Sequence, residues 1–295
     1  MTSAEIALVV CRFLFDAAAL FLWGAGAYLA TLVPAGLREE IWSGLRRARQ
    51  AALAALVAVG VFYLPLRTVI IGDSWGAAFD GELLSAVALE TNIGSAWIVQ
   101  AVGIGLLLLA TALLSGAHRI TATAALSALL LASLSLSGHA AMNEGWIGRL
   151  HQANNVLHLL AAGAWIGSLP AVLLVLPRLG DPVGEQATVA LIRFSTAGHV
   201  AVILVALSGL ANTLLILGQL PIDFASQYQR LLLIKIGLVA VMIAAAIVNR
   251  YILIPRVSRR AGAKSAIELG TKAEIVLSGA VLGLVAWFGV TEPGS

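Results

Sequence analysis

Charge is what this sequence has least of. Asp, Glu, Lys and Arg make up 11% of its 295 residues, against 60% hydrophobic residues and a mean hydropathy of +0.96. A soluble domain carries about 25% charged residues, so the shortfall points to lipid, not water, as the main solvent. Cysteine is nearly absent: Cys11 stands alone inside an apolar run. That excludes a disulfide framework, a CxxC redox pair and any multi-thiolate metal site. There is also no P-loop, no phosphorylation loop of an ion-pumping ATPase, no HExxH and no nucleophile elbow. Those absences argue against ATP-driven transport by this chain alone, and no residue is assigned a catalytic role. A net charge of +3 and a pI near 9.4 would suggest nucleic acid for a soluble protein. In a membrane protein basic residues report topology instead, so no nucleic-acid partner is expected. The opening stretch MTSAEIALVVCRFLFDAAALFLW lacks a basic n-region and a convincing cleavage site, and reads as a retained first span.

What is present is a series of long apolar runs. A membrane span needs about 20 mostly apolar residues, and eight segments qualify: 6–32, 51–71, 93–114, 120–136, 151–176, 190–217, 231–254 and 275–290. Most are rich in Leu and Ala, good helix formers, and they are far longer than a barrel strand. The expected fold is an all-α polytopic bundle of eight transmembrane helices, with residues 1–295 forming a single integral membrane domain. Gly24, Gly26, Gly209, Gly279 and Gly283 would let helices approach closely. The longest connection, 72–92, is expected to form a short cap. There is no convincing internal repeat.

Lys and Arg set the orientation. Arg38, Arg46, Arg47, Arg49, Arg119, Arg178, Arg193, Arg250, Arg256, Arg259, Arg260, Lys264 and Lys272 fall in connections after odd-numbered spans, thirteen of the eighteen basic residues. The opposite side carries Asp73, Asp80, Glu82 and Glu90 in its long loop. The asymmetry places both termini outside, in the periplasm of a bacterium, with the chain multi-pass in the inner membrane.

Against this greasy background, residues 138–158, GHAAMNEGWIGRLHQANNVLH, hold three of the five histidines and one of the three methionines. The stretch joins the fourth and fifth spans on the periplasmic side. His139 and Met142 fall in the loop, while His151 and His158 are seven residues apart on the fifth span, nearly two full turns, and so share a face. Asn155 lies between them and Trp165 extends the stripe. Such a stripe must face the bundle interior or a water-filled vestibule. Imidazole and thioether without thiolates or a carboxylate cluster suit copper best: thioether suits Cu(I), and imidazole serves Cu(II), zinc and nickel as well. The competing reading is that a membrane-edge loop collects His and Trp because amphipathic rings favour the interface. Deeper in the membrane, His199 near the cytoplasmic side, Met242 and Asp16 could form a station for a metal ion moving inward. Arg12 and Asp16, four apart, could instead form an internal ion pair along one helix face. Asn212 and Asn249 read as interhelical glue, Lys235 as able to snorkel to the interface, and His118 as solvated.

The segments SGHAAM (137–142), HLLAAGAWIGSLPAVLL (158–174), RFSTAGHVAVILVALSGLANT (193–213) and YQRLLLIKIGLVAVMIAAAIVNRY (228–251), in this order and spacing, carry a family likeness. Together with the eight-span layout, the chain resembles the copper-resistance D (CopD) family of bacterial inner-membrane proteins. The resemblance implies copper homeostasis, usually movement of copper from periplasm to cytoplasm beside a small periplasmic copper-binding partner. No such soluble domain is fused here, so that partner would be a separate chain. On this reading His139, Met142, His151 and His158 capture a copper ion, Cu(I) or Cu(II), at the outer mouth, with His199 as a deeper ligand.

Two alternatives remain open. The motif H-x-x-A-A-x-x-W at His158, with Lys235 two spans later, also resembles the HemJ-type protoporphyrinogen oxidases, implying a haem-binding redox protein. Its obvious axial pair, His158 and His199, would lie about 10 Å below the outer surface and about 13 Å above the inner one. In a hydrocarbon core about 30 Å thick, those depths are not level. His151 or Lys235 could substitute. The other alternative is a sensor or scaffold that holds copper without moving it.

Overall fold

The computed structural model describes residues 1–138, 142–253 and 262–289. His139 and the basic residues Arg256, Arg259 and Arg260 lie outside the described residues. Among the described residues there is no strand, and eight helices are long and apolar enough to cross a membrane. In chain order the α-helices are α1 (Ser3–Thr31), α2 (Ala35–Gly44), α3 (Arg46–Ile71), α4 (Gly81–Glu90), α5 (Asn92–Leu113) and α6 (Gly116–Ser133). They continue with α7 (Gly145–Ala162), α8 (Leu169–Val175), α9 (Gly184–Leu217), α10 (Gln227–Val248) and α11 (Gly262–Phe288).

Each expected span has its helix, but α7, α9 and α11 start six or more residues earlier than the apolar runs 151–176, 190–217 and 275–290. Hydropathy marks only the lipid-facing stretch, whereas a helix continues through polar turns that stabilise themselves. In the first turns of α11, Lys272 donates to Glu268 at 2.6 Å, an i,i+4 pair. The 72–92 connection is the expected cap: a 3₁₀ turn at Trp75–Phe79, then α4, whose N-terminal amides at Glu82 and Leu83 donate to the Asp80 carboxylate. Between the first two spans α2 lies as a short amphipathic piece, burying Leu37, Ile41 and Trp42. Arg49 of α3 sits 3.8 Å over the Trp42 ring, a cation–π contact at the membrane edge.

The faces of the helices sort by solvent. On α9, Val200, Ile203, Leu207, Leu210 and Leu214 are exposed at helical spacing, while Ala201, Val205, Ser208 and Thr213 are buried. That pattern inverts a soluble helix, because lipid solvates the large apolar side chains and the bundle interior keeps small and polar ones.

α1 packs against α3, α6, α11 and the middle of the fifth span. There the backbone widens to a π-helical turn at Gly163–Gly167 before resuming as α8. The cause is a backbone-to-backbone contact. A Cβ on Gly24 would stand 2.1 Å from the Gly163 carbonyl oxygen, and one on Gly167 would stand 1.9 Å from that of Leu20. Trp23 of α1 donates its indole N–H to Leu160 O at 2.9 Å, serving a carbonyl just before the widened turn, where the i→i−4 ladder changes register.

Candidate functional site

Between α1, the fifth span, α9, α10 and α11 lies a cavity of about 480 Å³. Its walls are mostly aliphatic, with Arg12, Asp16, His151, His158, Tyr228 and Lys235 as ionisable groups and Asn155 and Asn212 as amides, and Trp165 and Met242 also line it. Five of the residues expected from the sequence therefore share one space: His151, Asn155, His158, Asp16 and Met242. The stripe reading of α7 explains why, since positions 151, 158 and 165 recur every two turns and face the same side.

His158 is held by α9. Its Nδ1 lies 2.9 Å from Ser208 Oγ, and that hydroxyl spends its single proton on the Leu204 carbonyl one turn back. Ser208 can then only accept, so His158 donates from Nδ1 and keeps a lone pair on Nε2. Gly209 makes the approach possible: a Cβ there would come within 3.2 Å of His158 Cε1.

His151 is fully buried and has the opposite tautomer. Asn143 Nδ2, which also reaches Leu215 O at 3.4 Å, donates to His151 Nδ1 at 3.0 Å. An imidazole accepting at Nδ1 carries its proton on Nε2 when neutral. His151 is thus set as a hydrogen-bond donor and His158 as a Lewis base, at levels about 10 Å apart along α7.

A ladder of amides ties α7 to its neighbours. Asn154 Nδ2 donates to Asn212 Oδ1 at 2.8 Å and to Ser208 O at 2.9 Å, Asn212 Nδ2 to Asn155 Oδ1 at 3.3 Å, and Asn155 Nδ2 to Ser135 Oγ at 2.9 Å. Asn212 is the interhelical glue expected of it. Asn155 is consequently a positioning group whose amide is already engaged.

The expected Arg12–Asp16 ion pair does not form. The ion pairs among the described residues are Arg178–Glu40, Arg178–Asp181 and Lys272–Glu268. Arg12 instead donates to Gly289 O at 3.1 Å, closing the end of α11, and Asp16 Oδ1 is buried without a hydrogen-bond partner. Lys235 turns to the cavity rather than to the interface, with Nζ 5.8 Å from the centre of the Phe288 ring.

His199 lies apart from this cavity. It donates from Nδ1 to Ser195 O at 2.6 Å, and its Nε2 accepts from Tyr251 Oη at 3.0 Å. The inner station of His199, Met242 and Asp16 is therefore split: Met242 is buried against Trp165, and Asp16 and Met242 line the cavity without His199. The haem pair His158–His199 is divided in the same way. Met142 is exposed in the loop and does not line the cavity, and His118 is exposed as expected. Among the described residues no three His, Cys, Asp or Glu side chains form a metal-sized cluster.

Three groups escape a reading by composition. Ser208 and Asn143, which set the two tautomers, look like ordinary small polar residues. Glu274 lies one residue before the apolar run that marks the eighth span, yet it is buried, accepting from Asn249 Nδ2 at 2.8 Å.

A helical bundle of eight candidate spans enclosing a histidine-bearing cavity defines a polytopic membrane protein with an internal cavity. Comparison with known proteins narrows the class. Residues 1–149 match the family description "Copper resistance protein D-like, N-terminal domain", and residues 188–288 match "Copper resistance protein D". The chain is 32% identical over 286 residues to Inner membrane protein YebZ of Escherichia coli (strain K12), covering 97% of this chain and 98% of that one. It is 30% identical over 260 residues to Copper resistance protein D of Pseudomonas syringae pv. tomato, covering 82% and 83%. It is 31% identical over 262 residues to Copper transport protein CutJ of Bacillus subtilis (strain 168), covering 86% of this chain and 47% of the relative. No solved structure matches. The chain belongs to the copper resistance protein D family, and is a multi-pass inner-membrane protein.

Proposed function

We propose that this chain is a copper-homeostasis membrane protein, a single integral membrane domain that admits copper ions from the periplasm into the cavity and passes them toward the cytoplasm. Family membership supports the copper role, and the relatives named for copper resistance and copper transport support it further. The observation that carries the site is His158: an imidazole whose Nδ1–H is tied to Ser208, leaving the Nε2 lone pair for a ligand. Imidazole nitrogen serves both Cu(I) and Cu(II), and the hydrogen bond at the other ring nitrogen fixes the ring in the manner of an outer-shell partner.

His139 and Met142 supply the outer capture point, delivered to by a separate periplasmic copper-binding protein. His151 marks the upper cavity and His158 the binding level; His199 is a later, inner ligand once Tyr251 moves from its Nε2. Arg12 and Lys235 make the cavity wall repel a cation, while the unpaired Asp16 carboxylate offsets part of that repulsion. Weak, successive sites suit conduction, since an ion must enter and also leave. The Lys and Arg distribution supports the orientation, with both termini periplasmic.

Copper uptake into proteoliposomes tests the reading, comparing wild type with His151→Ala and His158→Ala. The expected order of uptake is wild type, then His151→Ala, with His158→Ala lowest. Equal uptake in all three overturns the pathway, and equal uptake in empty liposomes overturns transport itself. A Soret band in the purified protein, which this reading does not expect, would return the haem alternative.

A further inference from the structure

Below the cavity the structure holds an ionisable group that the copper pathway as described does not use. Glu274 sits about 18 Å along α11 from its first residue, in the interior of the bundle and 3% exposed. Its hydrogen-bond donor is neutral, Asn249 Nδ2 at 2.8 Å, and the neutral Trp165 indole lies beside it. Trp165 and Asn249 stand on π-helical turns, Gly163–Gly167 and Asn249–Leu253, and both turns contact α11. Single π turns inside α-helices occur frequently at functional sites. The pocket is also shaped for the contact, because a Cβ on Gly270 would fall 2.6 Å from Asn249 Oδ1.

Among the described residues, no cation forms an ion pair with this carboxyl. Of the elements packed on α11, α8 and the 163–167 turn carry no titratable side chain. From α1, Arg12 and Asp16 line the cavity and Arg12 is bound to Gly289 O, while Tyr28 packs on Phe194. From α10, Lys235 lines the cavity, and Tyr251 beyond it donates to His199. Arg250 follows Asn249 with its guanidinium over the Tyr251 ring, and on α11 itself Lys272 pairs with Glu268. None of these makes an ion pair with Glu274. A buried carboxylate without a counter-charge is costly, and binding a proton or meeting a mobile cation removes that cost.

Trp165 joins the two places, since it lines the cavity and its indole lies beside Glu274. Resting on the copper pathway proposed above, we infer that Glu274 is a proton-exchange site coupled to the cavity. It carries a proton while the cavity is empty. When a copper ion reaches the cavity floor, the carboxyl O–H bond breaks, the proton leaves to water and the carboxylate balances the incoming charge. When the ion departs, the carboxylate takes a proton back.

Infrared difference spectroscopy on the full chain in liposomes tests this. Wild type should show the carbonyl band of an un-ionised, buried carboxyl, and Glu274→Gln should lack it while keeping a side chain of the same size. Adding copper salt to wild type at fixed pH should bleach the band and release about one proton per ion to a pH dye; the variant should release none. An identical band in wild type and Glu274→Gln, or a wild-type band that copper leaves untouched, overturns the inference. These outcomes stand apart from the transport test: a wild type that shows the copper-sensitive band but takes up no copper keeps Glu274 and loses the transport reading.

Discussion

His158 and His199 are the same residue in two very different settings. Both donate from Nδ1 to an α9 residue, His158 across from α7 to the Ser208 hydroxyl and His199 within α9 to the Ser195 carbonyl. Their second nitrogens part company. His158 lines a cavity of about 480 Å³ with its hydrogen bond at Nδ1, whereas His199 has its Nε2 occupied by Tyr251 Oη at 3.0 Å. Availability of a lone pair, more than the presence of an imidazole, separates a ligand in waiting from a structural contact. His151 is a third case, with its ring turned the other way by Asn143.

Variants can widen or erase that contrast. The largest effect is expected from His158→Ala, which removes the one free imidazole lone pair among the described residues that line the cavity. Copper binding should fall by more than the roughly 10–100-fold that loss of an outer-shell partner brings, as read by equilibrium titration with a competing chelator. Ser208→Ala comes next: it leaves the ring but frees its tautomer, and a loss of about 10–100-fold is expected. An affinity equal to wild type in Ser208→Ala would show that the tautomer is set elsewhere. His151→Ala removes a donor, not a ligand, so the loss should be near the worth of one hydrogen bond, about 1 kcal/mol or under tenfold. Tyr251→Phe has the smallest expected effect on the cavity, none on its copper affinity. It should cost about 1 kcal/mol of stability and turn His199 into a second, weak copper site, visible as an added step in the titration.

The bundle was legible because its causes are local. Runs of Leu, Ile, Val and Ala announce the spans wherever they occur, and the eight helices follow them. Their starts were less legible, because α7, α9 and α11 extend through polar turns that hydropathy does not register. The face of α7 could be read from spacing alone: positions seven apart return to the same side, and His151, His158 and Trp165 all line the cavity. The Arg12–Asp16 pair failed as an expectation because spacing along one helix says nothing about a better partner on another, here the Gly289 carbonyl at the end of α11.

By itself the sequence determined the solvent, the number of spans and the helix face that bears the histidines, since each depends on composition or on the 3.6-residue period. Only the tertiary structure decided which nitrogen of each histidine is free, that Asp16 and Met242 share a cavity with His158 but His199 does not, and that Glu274 meets Asn249 and Trp165. Several of those outcomes depend on hydrogen bonds between distant residues, 50 positions apart for His158 and Ser208, 52 for His199 and Tyr251, and 25 for Asn249 and Glu274. A proton's place on an imidazole is settled by the single atom opposite it, and for His158 that atom comes from another helix.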